Sequence, residues 1–119
     1  MSLKDAIAVE RARKREAEEA ARRPFEAAYA QLKALYQQIR EDEDLRDALR
    51  GEVELLDNEL QIDPGPILMR ILVDKAGDFS MTYEIKSPVN PVVKPVTVAT
   101  IPDIEAAIAR LLVEYDDHD

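Results

Sequence analysis

The chain has 119 residues, enough for one domain, with 46% hydrophobic residues, only 5% aromatic ones, and neither Trp nor Cys. Lack of cysteine excludes disulfides, thiolate metal sites and cysteine nucleophiles. A net charge of −9 disfavours nonspecific adhesion to nucleic acid.

No apolar run is long enough to span a membrane, and the N-terminus lacks the apolar core of a signal peptide. The expectation is a cytoplasmic protein. The charge is uneven: residues 1–23 carry +2, 24–40 carry +1, 41–63 carry −8, 64–113 are neutral, and 114–119 carry −4.

Residues 3–23 are rich in Ala, Arg, Lys and Glu, all strong helix formers. Ala12, Ala17, Ala20 and Ala21 offer little to bury, so this reads as a solvated helix that protrudes or docks on another subunit. Its interleaved Glu residues predict self-neutralising pairs such as Glu18/Arg22 and Glu19/Arg23. Pro24 is expected to kink that helix or to start a new one.

Phe25, Ala28, Tyr29, Leu32, Leu35, Tyr36 and Ile39 recur at three- and four-residue steps, the pattern of an amphipathic helix. Asp42 or Asp44 can cap a following helix through Leu45 and Leu49, with Gly51 as its C-cap. Segment 52–62 fits two patterns. Val53, Leu56 and Leu60 suit a helix, whereas Val53/Leu55 and Leu60/Ile62 suit two short strands around Asp57-Asn58. A helix remnant leading into an extended Leu60–Ile62 is the expectation.

Ile67–Lys86 predicts a β-hairpin closed by Asp74-Lys75-Ala76-Gly77, a type I turn followed by a glycine that can take positive φ. That loop pairs Val73 with Phe79, Ile71 with Met81, Met69 with Tyr83 and Ile67 with Ile85, all on one face. Val92–Ile101 predicts an edge strand, because Pro95 cannot donate to a ladder. Thr100, with Asp103 three residues on, opens a last helix whose stripe is Ile104, Ala107, Ile108, Leu111, Leu112 and Tyr115. Val113 falls outside the stripe, and an acidic tail follows.

The expected fold is α+β, with N-terminal helices, a three-stranded antiparallel sheet (hairpin 67–86 plus edge strand 92–101) and a C-terminal helix on one sheet face. Residues 1–23 are expected to stand apart from a single domain over 24–119.

No catalytic, cofactor or metal residues are assigned, and no cofactor is implied. The three glycines form no phosphate loop. The serines are Ser2, Ser80 and Ser87, and His118 is next to the C-terminal residue, a poor place for a general base. The facing Asp74 and Asp78 read as a solvated turn.

The favoured function is a noncatalytic protein–protein interaction module acting as a homo-oligomer, with an unknown protein partner. Candidate partner-binding residues are the basic cluster Arg11, Arg13, Lys14 and Arg15, and the edge positions Val93, Pro95 and Thr97. Two other readings follow: a nucleic-acid adaptor using the basic helix, and a small carboxylate- or metal-dependent enzyme with a two-carboxylate or Mg²⁺ site built from Asp42, Asp44, Asp47, Glu52 or Glu54.

Overall fold

A computed structural model describes residues 2–115. Helix α1 runs from Leu3 to Glu41 without a break. Its start is fixed by a reciprocal cap: the Ser2 hydroxyl accepts the Asp5 amide at 3.2 Å, and the Asp5 carboxylate accepts the Ser2 amide at 3.4 Å. Pro24 lies inside this helix and does not start a new one. Strong helix formers on both sides carry the chain through it. The Ala20 carbonyl loses its donor, but Ala20 is exposed and water can serve it.

The burial pattern divides α1 in two. Ala28, Leu32, Leu35 and Ile39 are buried, while residues 3–24 are exposed apart from a half-buried Ala6. A helix of 39 residues is about 58 Å long, and the molecule measures 75 × 33 × 21 Å. The N-terminal half of α1 is thus an arm extending from the packed part.

Asp42 ends α1 and caps α2, Glu43–Leu49, by accepting the Asp44 and Leu45 amides at 2.9 and 3.2 Å. Helix α2 stops at Arg50, which takes the left-handed conformation (φ 52), and not at Gly51 as expected. Gly51 is needed for space: a Cβ there would collide with the Asp63 carbonyl.

The sheet has five strands where three are predicted. They are β1 (Glu52–Leu55), β2 (Glu59–Asp63), β3 (Ile67–Val73), β4 (Phe79–Ile85) and β5 (Val92–Val96), in the order β1-β2-β3-β4-β5, all antiparallel. Segment 52–62 therefore follows its period-2 pattern and not the helical one. The Leu56 amide donates to the Glu59 carbonyl at 2.8 Å to close that turn. The Val73 amide donates to the Asn58 carbonyl at 2.9 Å, tying the new hairpin to β3.

The β3–β4 register is the predicted one from Ile67/Ile85 to Val73/Phe79. Gly77 has φ 84, and the Asp74 carboxylate accepts the Asp78 amide at 2.9 Å. That carboxylate belongs to the turn. Strand β5 is shorter than predicted. It gives way before Thr100, whose hydroxyl accepts the Asp103 amide at 3.3 Å, while the Asp103 carboxylate accepts the Ala99 and Thr100 amides at 3.0 and 3.2 Å. This cap starts α3, Ile101–Tyr115.

Both long helices pack on one face of the sheet. Leu32, Leu35 and Ile39 of α1 join Ile104, Ile108 and Leu111 of α3 over Leu60, Ile62, Met69, Ile71 and Met81. Val113 is 76% exposed, as its place off the stripe requires. The opposite face carries Glu54, Gln61, Arg70 and Thr82 in one cross-strand row, and no described element covers it. The predicted acidic tail and His118 lie outside the described residues.

Candidate interaction surface

The arm is oriented by a backbone contact. A Cβ on Gly77 would stand 2.5 Å from the Pro24 carbonyl oxygen, so the β3–β4 turn abuts the helix at Pro24 with no room for a side chain. Tyr29 fixes the next turn of α1: its hydroxyl donates to the Leu56 carbonyl at 2.9 Å, and its ring stacks on Phe25 at 5.7 Å. Above these contacts the helix leaves the sheet.

A cleft of about 960 Å³ opens where it does so. Ala21 and Phe25 of α1 face Val73 across it. Its rim is charged, with Glu18 and Arg22 on the helix and Asp57, Asp74 and Lys75 on the two strand turns. At the far end of the arm, Leu3, Ala6, Ile7, Glu10, Arg11 and Lys14 line a shallow hollow on one side of the helix. Leu3 is 78% exposed and Ile7 43%.

Arg11, Arg13, Lys14 and Arg15 are all exposed on this arm. Arg13 pairs with Glu10 at 3.1 Å, a bond worth little at a solvated site. Among the described residues, the predicted pairs Glu18/Arg22 and Glu19/Arg23 are not within ion-pair distance.

Val93, Pro95 and Thr97 lie on the other side of the molecule. Helix α1 packs along β1 and β3, whereas β5 is the opposite edge of the sheet. Hydrogen-bond alternation shows how that edge is built. Asp74 donates to the Asp78 carbonyl at 3.0 Å, and Lys86 donates to the Pro66 carbonyl at 3.2 Å. Even-numbered residues of β4 therefore bond β3, and odd-numbered ones bond β5. The register then makes Tyr83/Lys94 and Met81/Val96 the bonded pairs, which turns the backbone of Val93 and Pro95 outward. Pro95 costs the ladder nothing there, but it removes a donor that an added strand would use. Thr97 is exposed and lies beyond the strand's end.

The carboxylates proposed for a metal-dependent enzyme form no metal-holding group among the described residues. Among the described residues, no group of three or more His, Cys, Asp or Glu side chains could hold a metal ion. Asp42, Asp74 and Asp103 accept backbone amides. The bond from the Ala99 amide, then that from Thr100, holds the Asp103 carboxyl below its ordinary value. No described helix is long and apolar enough to cross a membrane.

The cleft is the feature that sequence reasoning missed. Its helix side is visible in the spacing of Ala21 and Phe25, but Val73 and Asp57 reach it only through the sheet. Comparison with protein families, curated proteins and solved structures finds no match for this chain.

Proposed function

We propose that this chain is a noncatalytic protein–protein interaction module that works as a homo-oligomer. One observation carries the reading. Residues 3–17 of α1 pack on no other described element of the chain, yet they present Leu3, Ile7 and Val9 to solvent. Helices in proteins owe most of their stability to packing of an apolar face. An arm with unburied apolar residues at its tip and an apolar cleft at its base is suited to docking. The −8 segment at residues 41–63 and the basic stretch at Arg11–Arg15 give two charged surfaces of opposite sign, which favour association at low salt.

Sedimentation velocity and light scattering across protein and salt concentration test the proposal. Self-association that weakens with salt is the expected outcome. A monomer at every ionic strength, up to about 1 mM protein, overturns it.

A further inference from the structure

We propose that the tip of the arm, Leu3 and Ile7, docks at the cleft of a second copy, so that two arms pair antiparallel with Glu10 of each beside Lys14 of the other. This names the contact surface of the homo-oligomer and rests on that reading.

Residues 3, 7, 10, 14, 17 and 21 are spaced alternately by four and three, which places them along one seam of the helix. Leu3, Ile7, Glu10 and Lys14 line the hollow at the tip, and Ala21 lines the cleft, so both ends of the seam are open. The tip cannot reach the cleft of its own chain. Leu3 and Ala21 are joined by unbroken helix, which holds them about 27 Å apart. A second copy can bring them together.

An antiparallel pair with its twofold axis between residues 10 and 14 sets Leu3 opposite Ala21, Ile7 opposite Ala17, and Glu10 opposite Lys14. Every pairing is complementary. The two large apolar side chains meet two small ones, which leave them room. The one acidic seam residue meets the one basic one. Lys4, next to Leu3, arrives at a rim where three acidic residues, Glu18, Asp57 and Asp74, outnumber the basic Arg22 and Lys75.

A parallel pair would set Lys14 on Lys14 and Glu10 on Glu10, and it would leave the cleft without an apolar occupant. The Glu10–Arg13 bond within each arm is solvated and gives way at little cost. Two helices in contact over about five turns form a small interface, of the kind that dissociates readily, so assembly should depend on concentration.

The chain has no cysteine, which makes cross-linking clean. Ile7→Cys and Ala17→Cys are made separately, one in heavy-isotope form, then mixed and oxidised. Antiparallel pairing yields mainly the mixed 7–17 disulfide, because facing seam positions bring Cβ atoms within bonding range. In parallel, Glu10→Lys and Lys14→Glu should each weaken the dimer about tenfold or more, and the double exchange should restore it to within about threefold. These side chains are exposed, and circular dichroism with thermal melting confirms that each variant folds.

A parent dimer that yields 7–7 and 17–17 disulfides, no disulfide, or no rescue by the double exchange overturns the pairing and leaves self-association standing. A parent that stays monomeric overturns both. A parent that stays monomeric alone yet binds another protein through Leu3 and Ile7 assigns the arm to a different partner and also overturns the pairing.

Discussion

Gly77→Ala tests the contact that sets the direction of the arm. Two costs combine at this position. Gly77 has φ 84, a conformation that costs a residue with a Cβ about 1–2 kcal/mol. The new Cβ would also meet the Pro24 carbonyl, at 2.5 Å from oxygen and 2.8 Å from carbon. Both are backbone atoms, so helix and turn must separate, an overpacking cost of about 1–3 kcal/mol. The expected loss is about 2–5 kcal/mol, a large share of the roughly 5–15 kcal/mol typical of a domain. Urea unfolding reads it as a fall in midpoint of about 1 M or more, for a slope of about 1–3 kcal/mol per M.

Gly65→Ala is the control, since Gly65 has φ 122 but nothing lies within 4 Å of its added Cβ. It should lose the conformational term alone. Gly77→Asn, which tolerates positive φ better, should keep most of the steric loss. If Gly77→Ala is no more harmful than Gly65→Ala, the helix–turn contact has no energetic weight and the reasoning fails.

Pro24→Ala should stabilise the protein by up to about 3 kcal/mol, since it gives the Ala20 carbonyl back its helical donor; a lower urea midpoint would show that Pro24 serves the fold. Leu32 is fully buried, so Leu32→Ala should cost about 2–5 kcal/mol in the same assay, whereas the exposed Val113→Ser should stay within about 0.5 kcal/mol of the parent. The Asp103 carboxyl lies below its ordinary value of 3.8 in the folded chain. Its stabilising effect is therefore complete above that value and lost as pH falls through the lower folded one. Melting curves between about pH 5 and pH 2 should show a smaller acid loss for Asp103→Asn, and an unchanged pH dependence would count against the capping role.

The β3–β4 hairpin was fully legible because its register is set locally. Asp74-Lys75-Ala76-Gly77 specifies the loop, and every later pair follows by alternation. Helix α3 was legible for the same reason, since Thr100 and Asp103 cap it within four residues. Segment 52–62 was not, because Val53, Leu56 and Leu60 satisfy a helical period while Val53/Leu55 and Leu60/Ile62 satisfy a strand period. The bond from Val73 to the Asn58 carbonyl favours the strands, and it joins residues that local pattern cannot relate. Pro24 was ambiguous because its missing donor is tolerable both at a helix start and at an exposed interior carbonyl. The basic cluster could be read directly, but the cleft could not, since the pairing of β2 with β3 is what sets Asp57 beside Val73 in its sheet-side wall.

Pro24 and Gly77 connect the fold to the proposed docking. Buried side chains such as Leu32 and Leu35 seat the long helix on the sheet, and a backbone contact adds to them at Pro24. There the Pro24 carbonyl abuts a residue with no side chain. Two backbones in contact leave little freedom to tilt, because neither surface can yield by changing a rotamer. The separation of Ala21 from Asp57 and Asp74 is then set by the main chain. A second arm entering that space meets walls already positioned, which lowers the entropy cost of binding. A substitution that pries the turn from the helix should therefore alter association as well as stability, even though Gly77 lies outside the seam.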